Sequence, residues 1–279
     1  MSVAALDLGG TSIKGGLFDA GRLVKEIQVP TDKTNGRESI FASLYEAFKQ
    51  LDDGHVSCVG LSSAGTLDIE KGTCVYATDN LPGWTGCPIV ETLQKKWGVP
   101  VYLDNDAICA LEGELLLHPD AKNVTMLTFG TGVGGASLID GKIDRRPLTA
   151  WGHFTLVEGG LLCNCGKKGC AEAYLSAHHF GNAARDLGYG GTISLVKAAE
   201  HHDMVALDYL DEYGGYLGEF LCKIESTVPV DLFLLGGGLM NSFKTIYPSI
   251  DPLPKAKVEQ AALGNKAGIY GAFKLTLGH

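Results

Sequence analysis

The chain has 279 residues, 45% of them apolar and 20% charged, which is long enough for two ordinary domains that each bury a core. Its 32 acidic against 23 basic residues give a formal net charge of −9, so the composition offers no general electrostatic footprint for nucleic acid or an anionic membrane. No stretch approaches the roughly 18 apolar residues of a membrane span, and no basic segment with a long apolar core opens the chain, so we expect a soluble, unexported, cytoplasmic protein.

In chain order, Val3 to Leu8 reads as a strand, Gly9-Gly10 as a turn and Ile13 to Phe18 as a second strand. A tight turn at Asp19-Ala20-Gly21 leads to a third strand, Leu23 to Val29, completing an antiparallel meander. Ile40, Leu44, Ala47, Phe48 and Leu51 recur at helical spacing and predict an amphipathic helix from Arg37 to Leu51 packed on that meander. A buried strand follows at Cys58 to Ser62. Pro100 to Leu103 reads as the last strand of the first lobe, and a helix from Ala107 to Leu117 leads into the second. The opening pattern then recurs. Met126 to Phe129, Gly130-Thr131-Gly132, Ala136 to Ile139 and a turn at Asp140-Gly141 repeat it at an offset of 121 residues, with Gly9 on Gly130, Leu17 on Leu138, Phe18 on Ile139 and Asp19 on Asp140. This predicts an internal duplication: two α/β lobes facing each other across a ligand-binding cleft, each offering it one glycine turn. Val230 to Leu235 is an apolar strand ended by Gly236-Gly237-Gly238, and the helix-like tail Ala267 to Leu277 should pack back on the first lobe. The expected division is 1–105 with 268–279, and 106–267.

Four constellations carry chemistry. Asp7-Leu8-Gly9-Gly10-Thr11 places a carboxylate at a strand end and two side-chain-free residues in the turn, where backbone amides can approach phosphate; the alternative is a glycine hairpin with a buried Asp. It is not a Walker A loop. Gly130-Thr131-Gly132-Val133-Gly134-Gly135 is the matching loop of the second lobe, and a pair of such turns in a duplicated fold lets one nucleotide bridge both. Asp104-Asn105-Asp106-Ala107 lies where a strand gives way to a helix. Asp106 there is placed to accept a hydroxyl proton in phosphoryl transfer and Asn105 to hold a neighbouring hydroxyl, with helix capping by one of them as the alternative.

Cys163, Cys165 and Cys170, with His153 ten residues before the first, supply three thiolates and one imidazole, the donor set of a closed, structural zinc site. The alternative is three unrelated thiols in a loop. The other five cysteines (Cys58, Cys74, Cys87, Cys109, Cys222) read as buried apolar fillers, and His178, His179, His201 and His202 as surface or core histidines.

These motifs resemble the ROK group of sugar kinases and sugar-responsive repressors. The likeness runs through Asp7 to Thr11, Asn80-Leu81-Pro82-Gly83-Trp84, Asn105-Asp106-Ala107, Gly130 to Gly135, Gly152-His153, Cys163 to Glu172, Leu235 to Gly238 and Leu263 to Gly268, with the cysteine stretch and its trailing Glu the most specific part. The resemblance implies an α/β, two-lobed actin-like (ribonuclease H-like) fold and ATP-dependent phosphorylation of a hexose, most often at the 6-hydroxyl. Asp106 would be the base and Asp7 would face magnesium. Gly9, Gly10, Thr11, Lys14, Thr131 and Gly132 would hold ATP phosphates, and Gly236, Gly237 and Gly238 would lie near adenosine. Asn105, Asp106, His153 and Glu172 would contact the sugar. His153 would have one ring nitrogen on zinc and the other toward a sugar hydroxyl. It also implies a homodimer, and with the acidic composition we expect no nucleic-acid and no membrane partner.

Two departures stand out. Members of the group usually carry a Glu three residues before this His, where the present chain has Ala150, and the link from Gly141 to Gly152 is shorter than usual. Losing that carboxylate would weaken binding of a free hexose, or make room for a substituted sugar such as a glycoside. Ile108 stands where a polar residue is common. The other readings of the fold are a sugar-sensing regulator, for which Asp7 falls too early to leave room for a DNA-reading helix pair ahead of it, and a sugar-binding protein with little turnover, against which Asp7 and Asp106 argue.

Overall fold

The computed structural model describes residues 2–146 and 150–277. The chain divides into two compact units, one formed by Met1–Pro119 with Asn265–His279 and the other by Asp120–Gly264. The division therefore falls after Pro119 and not after Asn105, because the helix that starts at Asp106 packs along the C-terminal helix within the first unit.

The first unit runs β1 (Ser2–Leu8), β2 (Ser12–Asp19), β3 (Arg22–Pro30), α1 (Arg37–Leu51), β4 (Val56–Ser63), β5 (Thr66–Asp68), β6 (Thr73–Tyr76), α2 (Ile89–Trp97), β7 (Val101–Asn105) and α3 (Asp106–Glu114). Its five-stranded sheet has the order β3-β2-β1-β4-β7, antiparallel through the opening meander and parallel from β1 to β4 to β7. β5 and β6 form a separate two-stranded hairpin.

The second unit runs β8 (Val124–Phe129), β9 (Val133–Ile139), β10 (Lys142–Ile143), α4 (Glu172–Leu175), α5 (Ala177–Asp186), α6 (Thr192–Glu200), α7 (Met204–Thr227), β11 (Leu232–Gly236), α8 (Phe243–Ile246) and β12 (Lys257–Gln260). Its sheet order, β10-β9-β8-β11-β12, repeats the first in sequence and sense. The likeness extends to the hairpin turns. Ala20 and Gly21 (φ 47° and 77°) and Asp140 and Gly141 (φ 49° and 75°) are the left-handed central pairs that match the twist of the strands they join.

Each sheet carries its own core. On α1 the periodic residues Ile40, Leu44, Ala47, Phe48 and Leu51 are buried, as their spacing requires, each worth about 1.5–3 kcal/mol of burial when large and aliphatic or aromatic. α7 does the same for the second unit with Leu210, Tyr213, Leu217, Phe220, Leu221 and Ile224, and starts where the Asp203 side chain accepts the Ala206 N–H. The last helix, α9 (Ala267–Lys274), returns to the first unit, lying on β1, β4 and α3 and stacking Phe273 on Phe18 at 4.1 Å. It is shorter than the tail read from the sequence, and α3 likewise gives way to a 3₁₀ turn at Leu115–Leu117. Among the described residues no helix is long and apolar enough to cross a membrane.

Candidate functional site

In the first unit β1 delivers Asp7 to its C-terminal end, just before the Gly9-Gly10-Thr11 turn. The turn is pinned by Gly9 N–H to the Ser12 carbonyl (3.1 Å) and by the Thr31 hydroxyl to the Gly9 carbonyl (2.7 Å), with Thr11 exposed at its tip. Asp7 pairs across the sheet with Lys14 on β2 and with Ser62 on β4, and the buried Ser62 hydroxyl donates to its Oδ1 at 2.7 Å. Gly268, in the first turn of α9, closes the other side: a Cβ there would stand 2.6 Å from the Asp7 carboxylate, so this close approach requires glycine. Burial raises the Asp7 pKa, while the Ser62 hydrogen bond and the Lys14 charge oppose it.

Asn105 is the N-cap of α3. Its amide oxygen accepts the N–H groups of Ala107 (2.9 Å) and Ile108 (3.4 Å), and its Nδ2 donates to the Gly65 carbonyl at 2.9 Å. The capping role left open by the sequence thus falls to Asn105. Asp106, the first helical residue, is exposed as a residue, and its Oδ1 accepts the Ala107 N–H at 2.9 Å. Crowding by protein desolvates that carboxyl and the Asp7 charge adds to the effect, so its pKa is pushed up to about 6 against the pull of the helix amides.

In the second unit the turn from Gly130 to Gly132 joins β8 to β9, and Val133 to Gly135 of the glycine-rich stretch open β9. The turn is held by Gly130 N–H to the Gly132 carbonyl (2.9 Å) and by Ala177 N–H to the Gly130 carbonyl (2.8 Å). Glu172 opens α4 and turns its carboxylate onto this loop. Oε2 accepts the Val133 N–H at 3.0 Å and lies against Gly132 so closely that a Cβ at 132 would collide with it. Gly236 ends β11, Gly237 is left-handed (φ 88°), and Gly237 and Gly238 are exposed.

His153, Cys163, Cys165 and Cys170 come together, one donor atom from each lying within 4.8 Å of all the others. Cys163 Sγ is 3.7 Å from His153 Nδ1, and Cys165 Sγ is 3.6 Å from Cys170 Sγ. That is too long for a disulfide and close to the roughly 3.8 Å separating two thiolates on one tetrahedral zinc, so the donor set fits the metal in both chemistry and spacing. Backbone hydrogen bonds from Cys163 N–H to the Lys167 carbonyl (2.8 Å) and from Gly166 N–H to the Cys163 carbonyl (2.9 Å) fold the loop around the thiols. Glu172 Oε1 stands 3.8 Å from Cys163 Sγ, so thiol cluster, carboxylate and glycine loop are contiguous. Ala150 is exposed on the turn that carries His153, its carbonyl accepting the His153 N–H at 2.9 Å. Pro147, Leu148 and Thr149, in the link noted as short, lie outside the described residues.

Of the remaining cysteines, Cys74, Cys87 and Cys109 are buried, whereas Cys58 and Cys222 are only half-buried. Sequence reasoning passed over Ser62 and Gly268, which fix Asp7. It read His178 and His179 as surface or core histidines, and they line a cavity with Thr131 and Glu172. Ser62 had a readable signal, a hydroxyl in a buried strand; its pairing with Asp7 needed the register. Nothing local marked the histidines.

Residues 3–279 match the ROK family model. The chain belongs to the ROK family. It is 30% identical to a glucokinase of Halalkalibacterium halodurans, over 95% of this chain and 92% of that one. It is also 30% identical to an N-acetyl-D-glucosamine kinase of Vibrio parahaemolyticus, over 95% and 96% respectively. Among solved structures, a ROK family glucokinase from Streptomyces griseus in complex with glucose and AMPPNP superposes with a TM-score of 0.80 at 30% identity, covering 99% of each chain. The two-lobed actin-like α/β class read from the motifs is therefore the fold of this ROK member.

Proposed function

We propose that this ROK-family chain, an ATP-dependent sugar kinase, transfers the γ-phosphoryl group of ATP to the primary hydroxyl of a hexose unit with Asp106 as general base. The observation that carries this reading is the division of labour at the start of α3: Asn105 caps the helix, and the Asp106 carboxyl beside it is raised to about 6 by the protein crowded around it and by the Asp7 charge. A base at that value is ionised at neutral pH yet accepts a proton more readily than an ordinary carboxylate.

In the reaction Asp106 takes the proton of the sugar hydroxyl as that oxygen bonds to the γ-phosphorus, and the bond to the bridging oxygen breaks to release ADP. The amides of the Gly9-Gly10-Thr11 turn and of the Thr131-Gly132 turn, with Lys14, stabilise phosphate charge; Gly236 to Gly238 line the adenosine end. Asp7, a hard oxygen donor held by Ser62 and Gly268, is suited to a magnesium ion accompanying the nucleotide, which when bound neutralises phosphate charge. Asn105, His153 and Glu172 orient sugar hydroxyls. Zinc on His153, Cys163, Cys165 and Cys170 supplies, when bound, a fixed ring angle and tautomer for His153, whose Nδ1 faces the thiols. On the family resemblance we place the protein in the cytoplasm as a homodimer.

A coupled ADP-release assay over a panel of hexoses tests the reading. Sugar-dependent ADP release abolished by Asp106→Asn is the expected result, and sugar binding without ADP release would favour a sugar-sensing or storage role instead.

A further inference from the structure

The duplication gives each sheet the same row of positions, and the two rows are filled differently. In the first unit Asp7 lies two residues before Gly9, and the register sets it between Lys14 on β2 and Ser62 on β4. In the second unit Thr128 lies two residues before Gly130, between Gly134 on β9 and Gly236 on β11. The faces agree as well. Leu6 and Leu8 are buried in the core that includes the α1 residues Ile40 and Leu44, and Leu127 and Phe129 in the core that includes the α7 residues Leu217 and Leu221. Strand alternation therefore turns Asp7 and Thr128 to the other face of their own sheets. Thr128 is the second unit's counterpart of Asp7.

The surroundings of the two side chains differ in kind. Asp7 is held by a serine hydroxyl and a lysine charge, whereas Thr128 has a glycine on either side. The Thr128 Oγ1 stands over Gly134, where an added Cβ would come within 2.8 Å of it, so the missing side chain is what leaves room for the hydroxyl. Among the described residues that hydroxyl makes no hydrogen bond. Thr125, three residues earlier on the same strand, pairs its own with Ser137 at 2.9 Å. Thr128 is only half-buried, which leaves its hydroxyl free to meet a ligand. Position and charge select that ligand. Thr131 and Gly132, which the proposed function puts on phosphate, follow within four residues, and Gly236, which it puts at the adenosine end, is the direct neighbour on β11. A nucleotide lying from the turn to Gly236 passes Thr128. A hydroxyl donates to an anionic phosphate oxygen, whereas an ionised carboxylate such as Asp7 only accepts and would repel it.

We propose that Thr128 is a further nucleotide-binding residue: its hydroxyl donates to a phosphate oxygen in the ADP portion of ATP, and Gly134 and Gly236 carry no side chain so that the phosphates can reach it. This rests on the proposed function for where the nucleotide lies. The test is calorimetry with MgADP, which needs no turnover, alongside steady-state kinetics in MgATP and a melting curve, for the wild type, Thr128→Val and Thr128→Ser. Valine keeps the shape and the strand preference and removes only the hydroxyl; serine returns it. The expected result is a Kd for MgADP and a KM for MgATP raised about tenfold in Thr128→Val and back within about threefold of wild type in Thr128→Ser, with the sugar KM and the Tm little changed. Unchanged MgADP affinity in Thr128→Val, a loss that serine does not recover, or a loss matched by equal losses in sugar affinity and Tm overturns the assignment and leaves the kinase reading standing. A wild-type protein that binds neither MgADP nor MgATP overturns both.

Discussion

The hydroxyl of Ser62, with no solvent exposure, donates a 2.7 Å hydrogen bond to Oδ1 of Asp7. Three elements converge on this carboxylate: β4 supplies Ser62, β2 supplies the Lys14 charge, and α9 presents Gly268 without a side chain. Ser62→Ala keeps the volume nearly constant and deletes a hydrogen bond to a charged acceptor, a class worth about 1.5–3 kcal/mol. We expect kcat/KM for MgATP to fall about tenfold or more with the sugar KM little changed. The Asp7 pKa should rise further, since the bond that opposes its burial is gone. Unchanged nucleotide kinetics would remove Ser62 from this role.

Gly268→Ala sets two effects against each other. Alanine in place of glycine favours a helix by about 0.8–1 kcal/mol, whereas its Cβ would stand 2.6 Å from the Asp7 carboxylate. Local propensity acts on stability and the steric clash acts on a functional group. The variant should therefore keep or slightly raise its Tm while losing most of its activity. A melting curve alongside the steady-state assay separates the two, and full activity would show that Asp7 moves aside at no cost.

The thiol cluster predicts one zinc per chain, measured by elemental analysis on protein prepared without chelator. Cys165 is the exposed member, so Cys165→Ser should remove the metal with little packing loss. With it should go the orientation of His153 and much of the sugar affinity, while nucleotide affinity changes little. Acid should release the metal as the ligands are protonated.

Ala150→Glu should tighten binding of free glucose about tenfold through one added charge-assisted hydrogen bond and weaken binding of a β-glucoside. The two KM values should move in opposite directions. Movement in the same direction would mean that position 150 does not face the sugar.

How much of this was legible in the sequence depends on the range of the interaction. The meander, α1 and the duplication were readable because period-2 and period-3.6 patterns and glycine turns are local, and the repeat of sheet order bears out the offset of Gly9 onto Gly130. The cysteine spacing likewise named its own cluster. The boundary was misplaced because the close packing of α3 on α9 joins residues far apart in the chain. α5, α6 and α7 went unread, and with them the cavity that His178 and His179 line, because those residues meet Thr131 and Glu172 only in the folded chain. The capping question at Asn105 and Asp106 turned on which side chain bends back over the helix, and composition does not encode that.

The central claim is that Asp106 is the base, and the pH dependence of kcat/KM in wild type and Asp106→Asn tests it most directly. The catalytic form is the carboxylate, so activity should rise with pH through an apparent value near 6 and level off above it. Stability should run the other way. A folded-state pKa raised above the unfolded 3.8 means the folded chain binds more protons between about pH 4 and 6, so the Asp106 contribution is lost as pH rises through that window. Asp106→Asn should abolish the limb near 6, lower turnover about 100-fold or more with sugar binding retained, and flatten that part of the stability profile. Near-normal turnover in Asp106→Asn, or a wild-type limb near 6 that persists in the variant, would contradict the account.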